Sequence, residues 1–459
     1  AIASYEAERR CALLLDPAAR NTKEERIKRK PLLKFALSDN RLTGMPVLGM
    51  IYPCEALAVA TDPYAVARDM KKSALDVPSF QTVMGVAKGN VERLLAEIKV
   101  DDTGGKAVDE DWYWAAPILM DVVKDGKSLK RWFGHAGLSA VWSDNAGDKE
   151  DDAEARWDAH VQKAGQLVRD FQGGTLRMGR KPADLVEVLA WIGLGGPGAC
   201  TWRAMKRLGI ENKPIQIKNK AAKIAYSFLT LFNLPESMSL IRGMEQGKGD
   251  RKPYWQLVLE YSAAGCLQAV LDEYVHILRE SLGLIDASAT KTLADLAEAI
   301  SSALRLRTSR VGYDHIVTKP RSQIRLYPSS MRVRYAMRFG KLDAEEEGGE
   351  PTREDQVRAA FNSPFWPFIL ATTSIGQEGL DFHQYCHAVV HWNLPANPVD
   401  MEQREGRVHR YKGHAVRKNI ARRFGVPAEE GPDPWAGLFG QARSACAPNS
   451  SEIEPFWVF

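Results

Sequence analysis

Between residues 353 and 410 the spacing of the apolar residues alternates between helical and extended. "REDQVRAAF" (353–361) sets Val357, Ala360 and Phe361 on one helical face, whereas "FILAT" (368–372) and "AVVHW" (388–392) are short continuous apolar runs of the kind a buried strand presents. "NPVDMEQREGRVHR" (397–410) then opens a helix, with Asn397 at the N-cap, Pro398 at the first helical position and Asp400 in the first turn. Strands separated by crossovers in this order predict an α/β fold built on a parallel sheet.

In such a sheet ligands gather at the carboxyl ends of the strands, where loops and helix N-termini present backbone N–H groups. "TTSIGQEGLDF" follows the first apolar run directly: Thr372, Thr373 and Ser374 offer hydroxyls, Gly376 and Gly379 permit close approach of a ligand, and Asp381 can accept from a ribose hydroxyl. The alternative is a turn shaped by its glycines and capped by its hydroxyls. On the helix, Gln403, Arg407 and Arg410 stand at i, i+4 and i+7 and are expected on one face. Guanidinium is planar, permanently charged and matched to phosphate oxygens, so two on one face suit a nucleotide. Ordinary helix-surface pairs with Glu402 or Glu405, worth tenths of a kcal/mol, are the competing explanation.

Taken together, "ATTSIGQEGLDF" and "VVHWNLPANPVDMEQREGRVHR" resemble motifs V and VI of superfamily-two helicases, and most closely the Swi/Snf and RapA-like branch, whose motif VI reads Glu-Gln-Arg-x-Gly-Arg-x-x-Arg. The resemblance covers residues 304–423. It implies a second RecA-like lobe in which Arg407 and Arg410 reach across to ATP and Mg2+ held mainly by a first lobe, with Gln403 supporting that site. Gly379 and Asp381 would serve the nucleotide, and Thr372, Thr373 and Ser374 the nucleic acid. One departure is Tyr411-Lys412-Gly413 in place of the Gly-Gln pair usual after motif VI in that branch.

A first lobe is harder to find. "DVVKDGKS" (121–128) has Gly126, Lys127 and Ser128 of a phosphate-binding loop, but Asp121 stands where the first glycine belongs and would repel phosphate. "VLDEYVH" (270–276) imitates a Walker B Asp-Glu, yet Leu267, Val270, Leu271, Tyr274 and Val275 recur at helical spacing. The first lobe is therefore expected before residue 1 of the same gene product, or on a partner chain. An initial Ala and an apolar "PFWVF" ending also read as part of a longer product.

Elsewhere the expected organisation is a mixed α/β segment over 1–100, a mainly helical insertion or accessory domain over 101–303, the RecA-like lobe over 304–425 and an extension over 426–459. Within the first segment "MPVLGMIYP" (45–53) reads as a buried strand, and "NAGDKEDDAEARWD" (145–158) as an exposed loop. "QIRLY" and "RVRYAM" read as strands joined by a "PSS" turn, and "KLDAEEEGGE" (341–350) as a linker. That basic hairpin offers Arg325, Arg332, Arg334 and Arg338 either for tracking phosphates or as charge protecting an edge strand.

Composition narrows the class. With 45% hydrophobic and 26% charged residues the 459-residue chain can bury a sizeable core, and its net charge of +4 permits a polyanionic partner without requiring one. Six scattered cysteines lack any Cys-x-x-Cys pair and point to the reducing cytoplasm. No apolar run long enough for a membrane span occurs. His383, His387 and His391 would not converge in a loop followed by a strand, so no metal site is expected. Tyr52, Trp112, Trp114 and Trp132 could stack on bases, but tryptophans mostly pack in cores. The resulting expectation is the C-terminal half of an ATP-dependent helicase or translocase. DNA is the expected partner, RNA the alternative, and the setting resembles bacterial phage defence or transcription-complex remodelling. A catalytically silent nucleic-acid-binding or scaffolding subunit is the alternative function, and an autonomous ATPase using residues 126–128 a third.

Overall fold

The computed structural model describes residues 31–38, 41–72, 78–103, 107–135, 137–143, 151–210, 213–243, 252–305, 309–317, 325–333, 358–365, 369–370, 382–426, 431 and 433–446. The chain clusters into two units, one of residues 1–301 with 426–437, the other of residues 302–425 with 438–459.

The first unit is a helical assembly. After a short antiparallel pair, β1 (Leu37–Ser38) and β2 (Arg41–Leu42), come α1 (Met45–Ile51), α2 (Glu55–Ala60), α3 (Pro63–Lys72) and α4 (Phe80–Glu97). β3 (Asp101–Asp102) pairs in parallel with β4 (Arg177–Met178), on either side of α5 (Trp112–Phe133), α6 (Leu138–Ser143) and α7 (Asp151–Gln172). There follow α8 (Leu185–Gly195), α9 (Pro197–Lys206), α10 (Pro214–Phe232), α11 (Pro235–Gly243), α12 (Tyr254–Ala264), α13 (Leu267–Ser281) and α14 (Ala289–Leu304).

The stretch from Met45 to Ile51 is thus a helix and not the expected strand. A short apolar run carries no period that separates a buried strand from a buried helix. Tertiary packing decides: every residue of α1 except Pro46 is buried, and Pro46 occupies the first turn, where its missing N–H costs nothing. The acidic segment expected as a loop is helical from Asp151 onward.

Close helix packing at the centre of this unit depends on two glycines. A Cβ on Gly195 would lie 2.5 Å from the backbone of Leu259 and Ala263 in α12, and one on Gly198 would lie 2.2 Å from the Tyr52 carbonyl oxygen. Neither site has room for another residue. Nearby, Arg203, 3% exposed, donates to the Ala58 carbonyl at the end of α2 (2.9 Å), to the Gly193 carbonyl at the end of α8 (2.7 Å) and to Gln268 Oε1 (2.5 Å). One cation therefore satisfies carbonyls at the negative ends of two helices.

In the second unit β5 (Ser309–Val317) pairs antiparallel with β6 (Arg325–Val333). β6 runs unbroken through Pro328-Ser329-Ser330, so the expected turn there is strand: Pro328 is in register with Asp314 and Ser330 with Gly312. A two-stranded ribbon has an open edge, which is where a residue without an N–H can sit. Residues 358–361 are helical, and Phe361 meets Phe382 edge-on at 5.6 Å, with Leu370 and Cys386 packed against them. α15 (Pro398–Glu405), α16 (His414–Phe424) and α17 (Pro434–Ala445) complete the described elements.

The "AVVHW" run does not form the second strand of a parallel sheet. Residues 386–391 take no regular secondary structure, and Val390 and Trp392 are 86% and 94% exposed. Apolar side chains supply only half of a strand's requirements, the other half being a partner ladder. Among the described residues the parallel pairing is confined to the first unit, at β3–β4 and the Val108–Arg180 bridge. Most of the "FILAT" run lies outside the described residues. No helix among the described residues is long and apolar enough to cross a membrane.

Candidate functional site

The best-defined candidate is the helix and loop that carry the arginines. Asn397 caps α15 by accepting from the Val399 N–H at 3.0 Å, with Pro398 and Asp400 in the first turn. Contacts to residues 391–393 tie α15 to the preceding segment: Arg404 donates to the Asn393 carbonyl (3.2 Å), and His391 Nε2 lies 3.3 Å from Glu405 Oε1. No residue of α15 is buried, so these ties and the cap hold it in place of a core.

The helix ends sooner than the spacing of Gln403, Arg407 and Arg410 predicts. Gly406 donates the closing helical bond to the Glu402 carbonyl (2.8 Å), and the N–H groups of Val408 and His409 then both turn onto Glu405 O at 3.0 and 3.2 Å. Glycine has the highest entropic cost of ordering in a helix and commonly ends one. Gln403 is exposed within α15, while half-buried Arg407 and exposed Arg410 stand in the loop 406–413. The three are neighbours in one helix-and-loop unit but not one helical face. Lys412, at φ +52°, and Gly413 lead into α16.

The residue that fixes this loop is Arg417, which periodicity gave no reason to select. It is 1% exposed. Its guanidinium donates to the Lys412 carbonyl (2.7 Å) and to the Gln384 carbonyl, and lies 5.2 Å from the centre of the Tyr385 ring. The His414 N–H adds a bond to the His383 carbonyl (3.3 Å). The end of the arginine loop, the turn at 383–385 and the start of α16 are therefore joined through one buried cation. Only a signal of the wrong kind was present in the sequence: Arg417 sits between apolar Val416 and Ile420, where a helix faces inward.

The remaining sequence candidates fall as follows. Thr372, Thr373, Ser374, Gly376, Gly379 and Asp381, and also Arg334 and Arg338, lie outside the described residues. Arg325 and Arg332 are both in β6, opposite Val317 and Arg310. The His387 ring lies tilted beside His414 (5.1 Å between centroids) while His391 faces Glu405. Among the described residues no three His, Cys, Asp or Glu converge as metal ligands.

The two imitations of a nucleotide site in the first unit have structural explanations. Gly126, Lys127 and Ser128 continue α5 after a kink at Asp125 (φ −149°), and Asp125 Oδ1 already accepts the Ser128 N–H at 3.1 Å. Asp121 is buried and accepts from Lys218 (2.6 Å), from the Tyr52 hydroxyl (2.7 Å) and from the Ala56 and Glu55 N–H groups at the start of α2 (2.8 and 3.2 Å). Burial pushes its carboxyl up, but Lys218 and these donors together hold it below the usual carboxylate range. Asp272, in the Walker B look-alike, is on helix α13 and paired with Arg207, which also reaches both carboxylate oxygens of Asp62 from one nitrogen, at 2.6 and 2.7 Å. Burial raises the Asp272 carboxyl to about 6 even though Arg207 opposes it. Trp112, Trp114, Trp132 and Tyr52 are all buried, in core contacts and not at a surface where bases could stack.

No curated protein and no solved structure matches the chain. Residues 330–412 do match a family model, and the helix and loop that carry Gln403, Arg407 and Arg410 fall inside the match: that family is the helicase conserved C-terminal domain.

Proposed function

We propose that this chain supplies the second RecA-like lobe of an ATP-dependent nucleic-acid helicase or translocase of the Swi/Snf or RapA-like branch. The observation that carries the reading is the Glu402–Arg410 sequence, set on a capped helix and a loop within the matched residues 330–412. Two guanidiniums close together in the chain fit the charge that develops on a transferring γ-phosphoryl group. In this reading Arg407 and Arg410 complete an ATP and Mg2+ site whose phosphate-binding loop belongs to a first lobe, elsewhere in the gene product or on a partner chain. Gly379 and Asp381 then serve the nucleotide, and Thr372, Thr373 and Ser374 the nucleic acid. DNA is the proposed substrate, and closure and opening of the two lobes would step the protein along it.

The test is ATP turnover by the full-length protein with and without duplex DNA, wild type against Arg407→Ala. Turnover should fall by about a thousandfold, the scale on which such arginines act, with nucleotide binding kept. Equal turnover in both proteins would remove the finger assignment, and absence of turnover in the wild type would favour a silent scaffolding subunit.

A further inference from the structure

The arginine loop is followed by a stretch of unusual charge. From Gly406 to Val426 the chain carries seven Lys and Arg residues and no Asp or Glu. Three of the seven are accounted for, Arg407 and Arg410 by the nucleotide reading and Arg417 by its structural bonds. Lys412 lies 4.3 Å from the Phe439 ring. The other three, Lys418, Arg422 and Arg423, are exposed on α16.

An ordinary explanation exists for part of this pattern. Arg422 and Arg423 are in the last turn of α16, where cations complement the helix dipole. A helix designed only around its dipole would also carry acids in its first turn, and α16 has none. Nor does the dipole account for Lys418, one turn earlier. Lys418 and Arg422 are four residues apart, about 6 Å along the axis, with exposed Asn419 beside them as a neutral donor. The opposite side of the helix is anchored by Val416, Arg417 and Ile420, which are 3%, 1% and 0% exposed. The cations therefore project from a surface that is already fixed, which lowers the entropy lost on binding. Arg423 is held at the edge, 5.6 Å from the Phe424 ring.

We propose that the exposed face of α16, made by Lys418, Asn419 and Arg422 with Arg423 at its edge, is a docking surface for the sugar–phosphate backbone of a nucleic acid, read without regard to base sequence. The inference rests on the nucleic-acid reading of the previous section and adds a contact surface separate from the residues given there. Its partner is fixed by charge: a ridge of cations, Lys418 and Arg422 at roughly the spacing of phosphates along one strand, fits a regular polyanion.

The experiment is equilibrium binding of the full-length protein, without nucleotide, to two labelled DNA duplexes of unrelated sequence over a range of KCl concentrations. The comparison is wild type, Lys418→Gln/Arg422→Gln, and Lys88→Gln/Lys291→Gln, which removes equal charge from the first unit. Each phosphate contact contributes about 0.9 to the salt slope. The α16 variant should lose roughly 2 from the slope of log K against log salt, and roughly 10- to 100-fold in affinity near 0.1 M salt, equally on both duplexes. The control variant should match wild type, and turnover of ATP without DNA should be unchanged in all three. Wild-type slope and affinity in the α16 variant, or an equal loss in the control, would overturn this surface while leaving the helicase reading standing. Failure of the wild type to bind either duplex or a single strand would overturn both.

Discussion

Replacing Arg417 by Met should release the arginine loop without unfolding the rest of the protein. The side chain makes two bonds from a charged donor to backbone carbonyls, of Lys412 and Gln384, and lies over Tyr385. A hydrogen bond from a charged group contributes about 1.5–3 kcal/mol, and a desolvated cation over an aromatic ring about 2 kcal/mol. The low end of the roughly 5–8 kcal/mol that these contacts give together, less about 1 kcal/mol that a thioether against the Tyr385 ring restores, leaves a loss on the order of 4 kcal/mol, enough to open a local element but within the 5–15 kcal/mol of a typical domain. At about 1.4 kcal/mol per tenfold, amides protected only by local opening would exchange up to about a thousandfold faster. Hydrogen–deuterium exchange of the full chain reads this directly: peptides over 383–385 and 406–424 should lose protection, and peptides over α10 should not change. Arg417→Lys should recover little, because a single ammonium cannot span two carbonyls in the geometry of a fork. Wild-type exchange across 406–424 in Arg417→Met would refute the argument that this residue organises the loop, and loss of protection in α10 as well would show a global role instead.

Two further outcomes follow from the buried charges of the first unit. Asp121→Ala strands Lys218 next to Tyr52 and Trp132 together with the N–H groups at the start of α2, and should cost about 3–5 kcal/mol in urea unfolding. Asp121→Leu combined with Lys218→Met should cost less than the sum of the single changes, and strict additivity would show that the two do not act as a pair. His160 is fully buried, accepts the Gly44 N–H on Nε2 (3.1 Å) and meets the Arg156 carbonyl through Nδ1 (2.6 Å). Burial, the largest cause, holds its pKa below the ordinary value. A depressed pKa means that this stability is present above the unfolded value near 6.5 and is lost as pH falls below it. The urea midpoint of the wild type should therefore drop between roughly pH 7 and 5, and His160→Gln, which can still accept from Gly44, should flatten that part of the profile. Equal profiles would remove His160 as its source.

Much of the candidate site was legible because its signals are local. Asn397, Pro398 and Asp400 specify the start of α15 through groups within one turn of each other, and the Glu402–Arg410 pattern needs no distant contact to be recognised. The helical spacing of "VLDEYVH" likewise gave α13. Where α15 stops was not legible from the i, i+4, i+7 pattern, because that pattern presumes the helix whose continuation Gly406 ends.

Local sequence, then, determined which residues cap, which repeat and which carry phosphate-matched charge, since those properties reside in a few consecutive side chains. Tertiary structure alone decided that Met45–Ile51 winds into a helix, that Arg417 turns inward to bind two carbonyls, and that Asp121 and Asp272 face cations on distant helices. The physical reason is the same in each case. The cost of burying a polar group or an apolar run depends on what covers it, and the covering groups, such as Lys218 for Asp121 and Arg207 for Asp272, come from positions far away in the chain.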